Sequence, residues 1–375
     1  MLQVRFKKGL VEKMDVNRLS QLRSFMEEQK ADAVLVTLPM HVYYLTGFNT
    51  NPHERFLGLV IPRDGEPVLI VPALDKDAAM AASSVTNIQT HSDTQNPYQV
   101  LKQALPAGIA KLAVEKSHLT MQIYERMVDE LDIAAFVDVE EPLRQMRLKK
   151  SPEEASKIRK ACEVIEEVLR QGLSRVKAGV TEADMVAELE YLMKKLGSQG
   201  PSFSTMVLSG ANSALPHGKP GTKKIEHGDL LLFDMGVYLN GYVSDITRTF
   251  AVGDINERQK EIYDAVLRAN LAAIKEVRPG VTLAHLDQTA RDVIVESGYG
   301  EYFTHRLGHG MGMDVHEYPS VHGANQDKLV SGMVFTIEPG IYLPGVGGVR
   351  IEDDVFVTDN GVELLTSYPK ELQIL

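Results

Sequence analysis

Two aspartates eleven residues apart, Asp234 and Asp245, carry the clearest chemical signal in this chain of 375 residues. Leu230-Leu231-Leu232-Phe233 reads as a buried strand that ends in Asp234, and Tyr242 to Phe250 reads as a second strand. Asn240-Gly241 between them is a strong hairpin signal. A two-residue turn there sets Leu239 opposite Tyr242 and Gly236 opposite Asp245. Asp234, two residues before Gly236, then lies on the face of Asp245 as its diagonal neighbour, roughly 7–8 Å away at the backbone. A one-residue slip would send the two acids to opposite faces. Two carboxylates converging at the end of an apolar strand repel each other, so either one keeps its proton or a cation sits between them.

More ligands of the same kind lie downstream. His305-Arg306-Leu307-Gly308-His309-Gly310-Met311-Gly312 holds His309 in a glycine frame, where backbone and ligand can approach closely. His305 and His309 have the four-residue spacing of helical zinc ligands, but three nearby glycines argue against a helix. Phe335-Thr336-Ile337-Glu338 is another strand running into an acid, and it stops at Pro339-Gly340. Gly348 to Asp354 places Arg350, Glu352 and Asp354 on one strand face and Asp353 on the other. Singly, each acid reads as a surface charge. Together, four strand-borne acids and one imidazole form a donor set for hard or borderline divalent cations such as manganese, cobalt, iron or zinc, with manganese the first expectation.

The elements that must position these groups divide in two. From Met1 to about Glu140 the pattern alternates: helix over Val16 to Lys30, strands over 33–36, 56–61 and 68–71, helices over Tyr98 to Leu105 and Thr120 to Leu131. This is an α/β segment with a mixed sheet. Arg144 to Lys150 is a basic, glycine-free connector, and the domain boundary falls near Gln145, giving domains 1–145 and 146–375. Ser151-Pro152-Glu153-Glu154 is a capping box with proline at the first helical position. The helix it starts has Ile158, Ala161, Ile165, Val168 and Leu169 on its apolar face and ends at Lys177-Ala178-Gly179. Thr181 caps a second helix through Lys195 and Asn256 begins a third. After that the chain turns strand-rich.

Bulk properties exclude several functions. The net charge is -11, from 40 basic and 51 acidic side chains, and no basic patch that could release counterions from nucleic acid is visible. Lys149-Lys150, Lys194-Lys195 and Lys223-Lys224 read as solvated surface pairs. The single cysteine, Cys162, excludes an intrachain disulfide and sits at helical spacing with Ile158, Ala161 and Ile165, as a core thiol does. Met1 to Leu10 is polar and basic with no apolar run after it, against a signal peptide. No stretch of about 18 apolar residues offers a transmembrane helix. The expected compartment is the cytoplasm.

The ordered set Leu232 to Gly236, Ser244 to Thr249, Gly308-His309-Gly310 with Val315-His316-Glu317, Ile337 to Gly340 and Gly348 to Asp353 resembles the proline-specific branch of the pita-bread metallopeptidases. That branch includes Xaa-Pro dipeptidase (prolidase) and aminopeptidase P. The resemblance runs from about Lys150 to the end. It extends more loosely over the N-terminal half, where Tyr44 to Phe48 and Pro52 to Arg55 look like bacterial prolidases. It implies a creatinase-like N-terminal α/β domain and a pita-bread catalytic domain of α+β kind. It implies two divalent ions, bridged by Asp245 and Glu352, with Asp234 on one and His309 and Glu338 on the other. It further implies Glu338 as general base, His217 and His316 as donors to the substrate carbonyl and the tetrahedral intermediate, and His305 in the pocket wall. Arg350 has two readings, a holder of a neighbouring ligand carboxylate or a clamp on the substrate's C-terminal carboxylate. His53-Glu54-Arg55 reads as a loop triplet after the turn signal of Asn49 to Pro52, and the resemblance implies that it reaches the active site of a homodimer mate. The preference for proline comes from the resemblance alone. A proline-containing dipeptide is the expected substrate, with longer Xaa-Pro peptides, a non-peptide amide or a metal-free scaffold as the alternatives. Creatinase shares the fold but lacks this ligand set.

Overall fold

A computed structural model describes residues 15–375, so the expectation placed on Met1 to Leu10 lies outside the described residues. The chain forms two compact units, residues 1–146 and 147–375.

In the first unit the apolar runs pair into a six-stranded sheet. Its strands are β1 (Ala33–Val36), β2 (Gly58–Pro62), β3 (Val68–Pro72), β4 (Ile88–His91), β5 (Lys111–Val114) and β6 (Ala135–Asp138), in the order β4-β3-β2-β1-β5-β6. β1 runs antiparallel to β2 and parallel to β5, so the sheet is mixed, as expected. All residues of β1, β2 and β3 are buried, which explains why they read as continuous apolar runs rather than alternating ones. Helices start where caps stand: Asp15 accepts from Asn17 and Arg18, Asn96 from Tyr98, and Thr120 from Ile123. Most of the segment read as a basic connector, residues 144–148, is helical instead, as the end of Glu140–Leu148. Acids in its first turn and Arg147 in its last suit the helix dipole, and Leu143 and Met146 are buried.

The second unit is built from two helix pairs, each covering strands. Pro152–Leu173 and Glu182–Lys195 share a core with strand Leu230–Met235 and its neighbours. Glu257–Glu276 and Leu283–Glu296 share another with strands Val334–Ile337 and Asp353–Val357. The capping boxes at Ser151 and Asn256 are both formed. The first helix ends at Leu173, short of the expected Gly179, whose φ of 92° serves the following turn instead. Helix Leu283–Glu296 replaces part of the region read as strand-rich. Thr282 caps it, and Leu283, Leu286, Ala290 and Ile294 face inward.

The aspartate hairpin has the expected register. Leu239 opposes Tyr242, Tyr238 opposes Val243, Met235 opposes Ile246 and Asp234 opposes Thr247. Asn240 and Gly241 both have positive φ, 51° and 84°, as a type I′ turn demands. The second strand is interrupted, as Tyr242–Val243 and Ile246–Ala251, and Asp245 sits in the gap. A side chain on Gly236 would strike the carbonyl of Ser244, so only glycine fits beside that gap. The segment read as one strand through Arg350, Glu352 and Asp354 is two, Gly347–Arg350 and Asp353–Val357, which pair with different partners. Glu352 lies at the switch.

Two expectations about charge and thiol have opposite outcomes. Cys162 is fully buried, as expected. Lys150 is not a solvated surface lysine: it is buried, and its ammonium donates to Glu317 at 3.1 Å. A buried cation needs such a partner.

Candidate metal centre

Asp234, Asp245, His309, Glu338 and Glu352 line one cleft of about 300 Å³ in the second unit, with His217, His305, Arg306, His316, Tyr342, Arg350 and Phe203. Each acid arrives at a strand end or a strand break. Asp234 comes from the hairpin strand, Asp245 from the gap, Glu338 from the end of Val334–Ile337 and Glu352 from the sheet switch. Short strands with interruptions aim side chains into a cleft while their backbones remain hydrogen-bonded. His309 lies on strand Gly308–Gly310, where the register shifts against its partner strand just after it. A side chain on Gly308 would meet the carbonyl of Thr336, and one on Gly310 that of Tyr318. The glycine frame is thus what lets His309 sit between two strands.

One oxygen each of Asp245 and Glu352 and one nitrogen of His309 lie within 4.8 Å of one another. His309 Nε2 is 3.3 Å from Glu338 Oε1 and 3.8 Å from Asp245 Oδ2. Asp234 is held at the side by the Nη2 of Arg350. Arg350 also donates to Thr247 Oγ1 at 3.1 Å and Tyr342 Oη at 2.8 Å. Thr247 in turn donates to Glu352 at 2.6 Å, and Thr336 donates to Glu338 at 3.3 Å while accepting from the backbone of His309 at 3.1 Å.

Electrostatically this is a site in need of positive charge. Burial, then repulsion from Glu352 and Asp234, raises the Asp245 carboxyl well above its ordinary value. Burial and the nearby Glu338 and Asp234 do the same to Glu352. Burial pushes Glu338 up to about 7, against the pull of Arg350. Burial lowers His309 to about 3, with His316 adding to the effect, so His309 is a neutral imidazole. Asp245 Oδ1 is buried without a hydrogen-bond partner among the described residues. An orphaned carboxylate oxygen amid crowded acids and a neutral imidazole is the donor chemistry of a divalent cation, and these residues fit one.

Around the five groups stand the remaining side chains expected at the site. His316 is 4.2 Å from His309, ring centroid to centroid, edge to face. His305 Nε2 is 2.8 Å from Tyr342 Oη, and burial lowers its pKa to about 4. His217 is exposed in the cleft wall. His53 and Arg55 belong to the first unit and line a different cavity there. Arg55 is paired with Asp93 at 2.7 Å, and His53 has a positive φ of 54°. Asp353 and Asp354 do not line the cleft. Asp353 accepts from Arg248 at 2.8 Å and Lys370 at 2.9 Å. Asp354 accepts from the backbone N–H of Asp245 at 3.0 Å and from Cys162 at 3.3 Å.

Phe203, Met206, Arg306 and Tyr342 also line the cleft and were given no role from the sequence. Tyr342 and Phe203 carry no signal of their own. Arg306 had one, its place in the His305-to-Gly312 segment between the two histidines.

Residues 156–359 match metallopeptidase family M24, and residues 18–149 match the creatinase/prolidase N-terminal domain. A protein of Bacillus subtilis (strain 168) named putative dipeptidase YkvY is 46% identical over 363 residues, which is 96% of this chain and 100% of that one. The solved prolidase from Pyrococcus horikoshii OT3 is 40% identical with a TM-score of 0.89, over 95% of this chain and 99% of that one. The Xaa-Pro dipeptidase from Bacillus anthracis is 36% identical with a TM-score of 0.89, over 96% and 99%. By family match, by relatives and by architecture, the chain belongs to metallopeptidase family M24, with a creatinase-like α/β domain ahead of a pita-bread catalytic domain.

Proposed function

We propose that the protein hydrolyses the bond between a residue and a following proline, with Xaa-Pro dipeptides as the preferred substrates. The observation that carries this reading is the meeting of Asp234, Asp245, His309, Glu338 and Glu352 at one cleft, in a chain whose relatives include a prolidase and an Xaa-Pro dipeptidase. These five would hold two divalent ions, manganese first. The ions, when bound, supply Lewis acidity at the scissile carbonyl and make water acidic enough to attack at neutral pH.

The chain's own groups do the rest. Glu338 is the general base: it takes a proton from the attacking water and delivers it to the leaving proline nitrogen, a task for which its place among the ligands in the cleft puts it within reach. His316 and His217 donate to the oxygen on which charge develops. His305, fixed by Tyr342, closes the wall beside them. Of the two readings of Arg350, its contact with Asp234 favours the holder of a ligand carboxylate. Arg306 then supplies the cleft's second guanidinium. Its side chain donates to Ser320 at 3.0 Å and has no acidic partner among the described residues. It suits the free carboxylate of a dipeptide.

A homodimer, in which the His53–Arg55 loop reaches the mate's active site, and a cytoplasmic location complete the reading. Among the described residues no helix is long and apolar enough to cross a membrane. The test is a comparison of Ala-Pro with a longer Xaa-Pro peptide on metal-stripped protein, before and after manganese is restored. Manganese-dependent cleavage with Ala-Pro preferred is expected. Preference for the longer peptide would make the enzyme an aminopeptidase, and full activity without metal would overturn the reading. Arg55→Ala is expected to slow turnover or change length preference, with unchanged behaviour counting against the shared site.

A further inference from the structure

Between strands Gly308–Gly310 and Glu317–Val321 the chain makes a loop, residues 311–316, that ends on His316. It contains Gly312 and has no regular secondary structure of its own. Such a segment does not hold a side chain to a fraction of an ångström unless something fixes its backbone.

Glu317 is the group that fixes it. Its side chain is only 5% exposed. Its Oε1 accepts from the backbone N–H groups of Met313 at 2.7 Å and Asp314 at 3.0 Å, folding the loop back on its own end. The same carboxylate accepts from Arg147 Nη2 and from Lys150 Nζ at 3.1 Å. Lys150 Nζ also donates to the carbonyl of Arg147 at 2.8 Å, and its backbone N–H to Gly332 at 2.8 Å. The knot is close-packed: a Cβ on Gly312 would lie 2.8 Å from Lys150 Cε and 3.0 Å from both Glu317 oxygens. Gly312 O in turn accepts from the N–H of Val243 at 2.8 Å, joining the loop to the hairpin that carries Asp245. Lys150 and Arg147 hold the Glu317 carboxyl down at about 2 despite its burial, so it stays ionised. A buried, ionised acid with two cations and two backbone donors is expensive to assemble unless its position matters.

We propose that Glu317 is a positioning residue for the reaction: clamped by Lys150 and Arg147, it holds the 311–316 loop so that His316 stands against His309 in the cleft. Among the described residues Glu317 makes no hydrogen bond or ion pair to the metal-binding groups, and it does not line the cleft. Its effect on turnover passes through His316. This rests on the proposed function for its kinetic half, and on backbone geometry alone for its structural half.

Variants of the full-length, manganese-loaded protein test it. Glu317→Ala is expected to lower kcat on Ala-Pro by roughly 10- to 100-fold, the scale of a misplaced catalytic group, with KM and bound metal unchanged. Added to His316→Ala it is expected to cost nothing further, because residues acting as one unit are not additive. Lys150→Met with Glu317→Gln keeps one oxygen for both backbone donors and is expected to recover most of the loss. Where Glu317→Ala does not fold, Lys150→Met/Glu317→Ala removes the stranded ammonium and carries the same cycle. Amide exchange is the second readout, with Met313 and Asp314 losing protection in Glu317→Ala. Equal losses with and without His316, loss of metal, or unchanged exchange at those two amides would each overturn the proposal. A wild-type enzyme inactive on every Xaa-Pro peptide would sink the proposed function instead, while the exchange comparison still decides whether the tether exists.

Discussion

The hydroxyl of Thr247 donates to Glu352 at 2.6 Å and, on its other side, accepts from Arg350 Nε at 3.1 Å. Thr247 faces Asp234 across the hairpin, so this one side chain joins the aspartate hairpin to the sheet switch that delivers Glu352. The backbone repeats the connection, with Glu352 N–H donating to Thr247 O at 3.1 Å. Replacing Thr247 by valine keeps the volume and the β-branch and removes only the hydroxyl. Partners that orient metal ligands are worth roughly 10- to 100-fold in metal affinity or activity. Thr247→Val is therefore expected to weaken manganese binding about tenfold or more, measured by calorimetric titration. Activity at saturating manganese should change far less. Equal affinity in the two proteins would show that the hydroxyl does not help to place Glu352.

The crowded carboxyls make the metal-free protein's stability depend on pH in a direction that can be worked out. Glu338, raised to about 7, and Asp354, raised to about 8, keep their protons in the folded state at pH values where an unfolded carboxyl has lost them. Over that interval the folded state binds more protons, so stability falls as pH rises. His309 and His305, lowered to about 3 and about 4, act in the opposite sense, but only up to the ordinary histidine value of 6.5. Above that value the histidine contribution fades over about one pH unit and the acids set the sign of the slope. Metal-stripped protein is thus expected to lose thermal stability between pH 6.5 and about 8. Saturating manganese should raise the melting temperature and flatten that slope, because the cation takes the place of the protons. Scanning calorimetry across that range, with chelator and with manganese, decides it. A flat or rising profile for the stripped protein would contradict the account.

Much of this centre was legible because the hairpin is a local object. Asn240-Gly241 sets the turn, the turn sets the register, and the register sets Asp234 and Asp245 on one face before any tertiary contact is known. The capping box at Ser151 works the same way, through groups three residues apart, and Asn256 marked the start of its helix. What stayed hidden depends on distant partners. Glu352 looked like the middle of one strand because alternation cannot reveal that Gly347–Arg350 and Asp353–Val357 pair with different neighbours. Lys150 looked like a solvated lysine because its partner, Glu317, lies 167 residues away. Tyr342 gave no sign of its bonds to His305 and Arg350, which exist only once three separated segments meet. The helix Leu283–Glu296 is a different case, since Thr282 and the spacing of Leu283, Leu286, Ala290 and Ile294 were there to be read.

Glu338 is assigned two duties, ligand and base, and a conservative change separates them. Glutamine keeps one oxygen able to coordinate and loses the carboxylate that accepts a proton. Positioned general acid–base groups contribute about 10²- to 10⁴-fold. Glu338→Gln is expected to lower kcat by that factor while most of the metal remains bound, as elemental analysis of the purified protein would report. Loss of the metal together with the activity would show coordination to be its main duty. Retained turnover would move the base to another residue.

Two arginines line the cleft, and their surroundings assign them different work. Arg350 is already committed to Asp234, Thr247 and Tyr342, and its charge is reinforced by Tyr342, Asp234 and Glu338 although burial opposes it. Among the described residues Arg306 donates to Ser320 alone. A guanidinium with donors to spare, at the edge of a site for dipeptides, discriminates between a free carboxylate and its amide. A hydrogen bond to a charged group is worth about 1.5–3 kcal/mol, or roughly 10- to 150-fold in binding. Wild-type enzyme is expected to prefer Ala-Pro over Ala-Pro-amide. Arg306→Met should raise KM for Ala-Pro by a factor in that range and leave KM for the amide nearly unchanged. Arg350→Met should instead lower metal affinity and slow both substrates alike, because it frees Asp234. Steady-state kinetics of the two variants on the two substrates separate these roles, and an Arg306 variant that still favours the free acid would return the carboxylate to Arg350.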